Sequence, residues 1–151
     1  MGTRSLTKVI QTWEDKTGET HSRPITCMYR QHDGYPSGHG AELAEWLSKY
    51  TIVNGMPIEH STVDKPQLMF NGMDCLAAQM FVHFKDGPGN IYCMHPDGYD
   101  IWEEYVYEIE EIDKQIFITV NEVPPRGYDG LLKIFHGTPE ELLTKIQLDY
   151  A

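Results

Sequence analysis

Met73-Asp74-Cys75-Leu76-Ala77-Ala78-Gln79-Met80-Phe81-Val82-His83-Phe84-Lys85 repeats its apolar residues at a helical period, and Asp86-Gly87-Pro88-Gly89 stops it. Met73, Leu76, Ala77, Met80, Phe81 and Phe84 share one stripe, so the spacing predicts an amphipathic helix over 73–85. Asp74 near its start and Lys85 near its end suit the helix dipole. Beyond Gly89 the period falls to two. Ile91–Met94 reads as a short strand. Tyr105–Glu110 sets Tyr105, Tyr107 and Ile109 against Val106, Glu108 and Glu110. Gln115–Val123 sets Ile116, Ile118 and Val120 against Phe117, Thr119 and Asn121, and Ile112-Asp113-Lys114 supplies the hairpin turn between the two. Leu131–Phe135 gives a further strand. Thr138-Pro139-Glu140-Glu141 is a capping box with proline at the first helical position, and a short helix follows with Leu142, Leu143 and Ile146 inward.

Upstream, Ser5–Trp13 reads as a strand, with Leu6, Lys8 and Ile10 against Thr7, Val9 and Gln11. Glu14-Asp15-Lys16-Thr17-Gly18 is a turn, and Ile25–Gln31 returns as the second arm of a hairpin. A first helix is predicted from Gly38 to Tyr50, N-capped by the Ser37 hydroxyl. Leu43, Ala44, Leu47 and Tyr50 lie on its inner face, with Trp46 at the edge. Thr51–Gln67, which contains Asn54-Gly55, Pro57 and Pro66, is expected to be a long loop. The order β-β-α-α-β-β-β-β-α predicts one α+β domain over 1–151, with helices on one face of a mainly antiparallel sheet of about five to six strands. No βαβ series of the dinucleotide-binding kind is present.

The charge balance narrows the function classes. With 23 acidic against 12 basic residues the formal charge is -11. That disfavours general binding to nucleic-acid phosphates, which needs basic contacts, and docking on anionic membranes. It permits a basic protein partner, although keeping the protein in solution is the more ordinary role of such charge. Cys27, Cys75 and Cys93 cannot all pair within one chain and share no short spacing, so they read as thiols in a reducing compartment. Met1–Leu6 has no apolar signal core and no Ser or Thr at the sixth position of a myristoylation motif. No stretch approaches a membrane span, and the expected location is the cytoplasm.

Three segments resemble a group of small proteins encoded by phages, prophages and some microbial genomes. They are Gly2-Thr3-Arg4, the run Tyr29-Arg30-Gln31-x-Asp33-Gly34-Tyr35-Pro36-Ser37-Gly38-His39-Gly40, and Asn71-Gly72-Met73-x-Cys75-Leu76-Ala77-Ala78-Gln79 followed by His83-Phe84-Lys85. Glu104-Tyr105-Val106-Tyr107-Glu108-Ile109 fits the same pattern. The resemblance implies a viral or mobile-element setting, with host-cell cytoplasm as the place of action. It supplies no catalytic residues.

The junction within the second segment is the first candidate site. A strand ends in a glycine-rich turn that opens into a helix, an arrangement that can aim backbone N–H groups at an anion. Arg30 and His39 add cationic or polar donors. Arg30, Asp33, Tyr35, Ser37, Gly38, His39 and Gly40 are therefore the candidate ligand-binding set. The alternative is a stiff connector whose glycines are sterically required. The run lacks the Lys and Ser/Thr of a P-loop and the Rossmann glycine spacing.

Other chemistries are weaker in the sequence. His32, His39, His60, His83 and His95, with Asp33, Asp97 and Asp100, have no zinc-type spacing, so no metal or other cofactor is expected. There is no G-x-S-x-G elbow; Ser37 follows a proline, and Cys75 on its helix reads as buried and inert. The acidic stretch from Asp97 to Asp113 offers Glu103, Glu104, Glu108 and Glu110 as a row that would meet a basic protein surface. Tyr92, Tyr99, Trp102, Tyr105 and Tyr107 lie among those charges, where aromatics either stack on a base or half-bury in a sheet.

The leading expectation is a non-enzymatic phage-type binding protein that counters a host factor or defence pathway by sequestering a small anionic, nucleotide-like signal. Its partners would be that ligand or a host protein, or a second copy of itself, with no direct nucleic acid and no membrane. The alternatives are an acidic inhibitor of a basic host surface and, third, a small metal-dependent hydrolase using His32, His39 and Asp33.

Overall fold

A computed structural model describes residues 2–55, 68–99, 101–125 and 130–149. The strands are β1 (Ser5–Glu14), β2 (Thr20–Arg30), β3 (Thr51–Val53), β4 (Met69–Asn71), β5 (Ile91–Met94), β6 (Tyr105–Ile112), β7 (Gln115–Glu122) and β8 (Leu132–Gly137). The helices are α1 (Ala41–Ser48), α2 (Gly72–Phe84) and α3 (Pro139–Asp149). Six strands form one sheet in the order β5-β2-β1-β6-β7-β8, and β3 and β4 form a separate parallel pair. Neighbours in the large sheet are antiparallel except β1 and β6, which run parallel with Ser5 opposite Tyr105 and Val9 opposite Ile109. The architecture is α+β with a mostly antiparallel sheet.

The two-residue period of the strands sorts their side chains between two unequal layers. Val9, Met28, Tyr107, Ile109, Ile118 and Val120 point to the helical side, where Leu43 and Leu47 of α1, Leu76 and Met80 of α2, and Leu142 and Ile146 of α3 close over them. The opposite face holds a small cluster of Leu6, Cys27 and Val106, with Tyr29, Met94, Ile101 and Val123 packed against it. A bulge between Val9 and Ile10 interrupts the alternation of β1, so its outer half does not continue the face pattern read from its inner half.

Local chemistry sets the ends of the elements. At the start of α3 the Thr138 N–H donates to Glu141 Oε1 at 2.9 Å and the Glu141 N–H donates to Thr138 Oγ1 at 3.2 Å, a reciprocal box. Those bonds hold the Glu141 carboxyl below its ordinary range. Asp113 and Lys114, at φ 50° and 65°, are the two central residues of the β6–β7 turn, where the twist of the strands demands the left-handed region. Lys114 carries a Cβ there, so Lys114→Gly is expected to raise stability by about 1 kcal/mol, read as a higher urea midpoint at unchanged m-value. An unchanged midpoint would show that the turn is not strained.

Several boundaries differ from expectation for identifiable reasons. Thr51–Val53 is a strand rather than loop, because it pairs in parallel with β4 across the chain. Asn54-Gly55 continues from it, and the Gly55 N–H donates to Asn71 Oδ1 at 2.7 Å. Pro57, His60, Pro66 and Gln67 lie outside the described residues, as does Asp100. The first helix enters through a π-type turn over Pro36–Gly40 with proline in its first turn, and no side chain caps it, so Ser37 is not the N-cap. Trp46, placed at the edge of the inner face, is buried at 5% exposure against Phe70 and Phe84. Cys75 is half-buried rather than buried, and Gln79 donates to its sulfur.

Candidate functional site

The glycine-rich junction assembles, but around itself. Arg30, at the end of β2, is 7% exposed. Its Nε donates to the His32 carbonyl at 2.7 Å, and one terminal nitrogen reaches both His39 Nδ1, at 3.1 Å, and the Glu42 carboxylate. Arginine only donates, so Nδ1 of His39 must carry a lone pair. The ring proton therefore sits on Nε2, which donates to Thr7 Oγ1 at 2.7 Å. His39 is fully buried between Phe84 and Tyr107, and burial together with the Arg30 charge pulls its pKa from 6.5 down to about 3.

The backbone donors of the junction are engaged as well. The Gly34 N–H donates to Thr3 O, the Gly38 N–H to Tyr35 O and the His39 N–H to Asp33 O, at 2.9, 2.9 and 2.8 Å. The Gly40 N–H faces Tyr35 O at 3.5 Å. Gly34 is a close-approach glycine: a Cβ there would sit 2.9 Å from the Ser5 backbone nitrogen and 2.7 Å from the Ser5 Cβ. Ser37, Asp33 and Tyr35 stay on the surface, where Tyr35 donates to Asp33 at 3.3 Å. The candidate set is thus brought together, yet Arg30 and the amides of Gly34, Gly38 and His39 are bonded within the fold.

The other candidates separate. Glu103 is 4% exposed and its carboxylate accepts from the Ile101 N–H at 2.7 Å, so it is not part of an acidic surface row. Glu108 and Glu110 share the outer face of β6, but Glu108 accepts from Asn121 at 2.8 Å and stands opposite Lys8 in the parallel register, which breaks the row. His83 stacks on Trp46 at 4.9 Å, and burial lowers its pKa. His95 is exposed and accepts from the Asp97 N–H. Among the described residues Asp15, Glu19 and His21 bring three ligating groups together at the β1–β2 turn. Asp15 is already saturated there: one oxygen accepts from Thr17 and Glu19, the other meets His21 at 2.6 Å, and these bonds lower its pKa to about 2.

Of the five aromatic candidates, Tyr107 is buried and donates to the Gly34 carbonyl, and Tyr92 stacks on Tyr29 beneath Lys85. Trp102 is different. It is 84% exposed and its backbone is left-handed, at φ 67°. Asn and Asp tolerate that region, whereas a bulky side chain in it is an outlier that costs roughly 1–2 kcal/mol. The exposure forgoes a further ~2–3 kcal/mol of burial. Strong anchors hold the segment in place: Arg4 donates to the Ile101 carbonyl at 3.0 Å, and the Glu104 N–H donates to the Arg4 carbonyl at 2.9 Å.

Trp102 stands on the wall of a cavity of about 490 Å³ lined also by Gly2, Arg4 and Glu104, within the size range of small-molecule sites. The parallel pairing explains its composition, because β1 and β6 both begin at this end of the sheet and bring residues 2–4 beside residues 101–104. The junction borders the same end: Thr3 accepts from Gly34, and a Cβ on Gly2 would overlap the His32 ring at 2.3 Å. Arg4 and Glu104 line one cavity with opposite charge, and among the described residues no ion pair joins them.

No family model, curated protein or solved structure matches the chain. The sequence places Trp102 among the acidic residues as an aromatic that either stacks on a base or half-buries in a sheet, and its 84% exposure excludes the second. Glu104 reads there as an acidic contact, and Arg4 is not among the candidates. The signal for Arg4 was its place in Gly2-Thr3-Arg4, next to the first strand.

Proposed function

We propose that this chain is a non-enzymatic binding protein that captures a small, planar, anionic ligand of nucleotide type in the cavity formed by Gly2, Arg4, Trp102 and Glu104. The observation that carries the proposal is Trp102, a large aromatic held in a strained backbone conformation and left in water beside a guanidinium. An indole face stacks on a base, and an arginine meets a phosphate with charge-assisted hydrogen bonds. In the phage-type setting that the sequence resemblance implies, the ligand is a host-made signal and the mechanism is sequestration. Capture of a basic host surface has less support, since Glu103 is buried and Lys8 interrupts the remaining acidic row. A metal-dependent hydrolase built on His39 has less still, because both ring nitrogens of His39 are bonded inside the protein.

Titration with a panel of cyclic and linear nucleotides, followed by calorimetry and thermal shift, tests the proposal. Trp102→Ala is expected to weaken binding by about 1–3 kcal/mol, the usual worth of one base–aromatic stack, while leaving the thermal midpoint unchanged or slightly raised. A folded wild-type protein that binds no nucleotide would overturn it.

A further inference from the structure

Resting on that proposal, we infer that the cavity selects a guanine base, and that Glu104 is the residue that reads it. Trp102 offers a face that any base can stack on, and Arg4 offers donors that any phosphate accepts. Neither distinguishes one nucleotide from another. Glu104 does, because an ionised carboxylate is acceptor-only and suits a ligand edge that presents two adjacent donors. Guanine has that edge in its N1–H and its exocyclic 2-amino group. Adenine presents one amino donor beside the N1 lone pair, cytosine one beside N3, and uracil a single N–H between two carbonyl oxygens, so each sets an acceptor against the carboxylate.

The geometry keeps Glu104 available and fixed. It is exposed on the cavity wall, and its backbone is pinned on both sides, with its N–H on the Arg4 carbonyl and its carbonyl accepting from the Val123 N–H, each at 2.9 Å. Its neighbour Glu103 turns inward to accept from Ile101, which leaves Glu104 as the acidic residue on this wall among the described residues. Arg4 is held to the Ile101 carbonyl through one terminal nitrogen, and its remaining donors are those assigned to the phosphate. Base face, base edge and phosphate are thus met by three different side chains around one cavity.

Calorimetric titration of the whole protein with GMP, IMP and AMP tests the inference. GMP is expected to bind about ten- to a hundredfold more tightly than AMP, the usual discrimination of a good bidentate base contact, with IMP between them because it keeps N1–H and lacks the amino group. Glu104→Gln places a donor and an acceptor where two acceptors stood, so the GMP to AMP ratio is expected to collapse towards one while circular dichroism stays unchanged. Equal affinity for GMP and AMP in the wild type, or a ratio that survives Glu104→Gln, would overturn the guanine assignment and leave nucleotide capture standing. No binding of any of the three to the folded protein would also overturn the guanine assignment, and only silence across the whole panel of cyclic and linear nucleotides would overturn nucleotide capture with it.

Discussion

Arg30→Met is expected to lower the stability of the protein by about 2–4 kcal/mol, read as a thermal midpoint roughly 5–15 °C lower. The arginine is 7% exposed and ties together the end of β2, the carbonyl of His32, the imidazole of His39 and the carboxylate of Glu42. Methionine keeps most of the volume and none of the donors. His39 Nδ1 then becomes an unsatisfied buried acceptor, which costs about 1–3 kcal/mol, and the charge-assisted bond to the carbonyl of the exposed His32 is lost as well. Glu42 adds little to the loss, since its side chain is 54% exposed and water replaces the guanidinium there. The same substitution separates two roles for Arg30. A structural tie changes stability and leaves nucleotide affinity of the folded fraction intact, whereas a ligand-contacting cation does the reverse.

The stability difference between wild type and His39→Gln is expected to shrink by about 2–3 kcal/mol between pH 7 and pH 4.5. The sign follows from the direction of the shift. His39 resists protonation in the fold down to about pH 3, because burial and then the Arg30 charge oppose a second cation, while in the unfolded chain it titrates near its ordinary 6.5. Above pH 6.5 the ring is neutral in both states and its contribution is intact. Below 6.5 the unfolded chain takes up a proton that the folded chain refuses, so stability falls by about 1.4 kcal/mol per pH unit until the pH nears 3. Glutamine retains a donor and an acceptor but does not titrate, which removes this part of the acid limb and leaves that of Asp15 and Glu141. Urea unfolding of both proteins at the two pH values measures it, and parallel curves would show that His39 is protonated in the fold. The two substitutions share one network, so their costs are expected not to add.

The elements were legible where period and punctuation agreed. The stripe from Met73 to Phe84 and the stop at Asp86–Gly89 located α2, and the alternation on either side of Asp113-Lys114 located β6 and β7. Thr51–Val53 was not legible, since three residues are too few to show a period and their partner strand at Met69–Asn71 lies beyond a long connection. The start of the first helix was misread for a different reason: a π-type turn satisfies its own amides through the backbone and needs no serine cap.

The junction shows how far composition goes. Gly34, Gly38, His39 and Arg30 read in sequence as one junction, and an anion site and a self-bonded turn require the same residue types. Burial decides between them, and burial is a property of the assembled sheet. For the same reason the cavity was invisible in one dimension, because Arg4 and Trp102 become neighbours only through the parallel pairing of β1 with β6.

That pairing also bears on how the chain reaches its fold. The antiparallel ladders β1–β2 and β6–β7 are local hairpins that close quickly. Joining them aligns Ser5 with Tyr105, and the Arg4 to Ile101 bond that seals this end spans 97 positions. The two halves of the sheet are therefore expected to fold as separate ladders first, with their docking along β1 as the slow, high-contact-order step, an order that pulsed hydrogen exchange during refolding would check. In a chain made from its N-terminus, the edge of β1 that faces β6 has no partner until residues 105–109 exist, and the cavity beside Arg4 and Trp102 requires that last pairing.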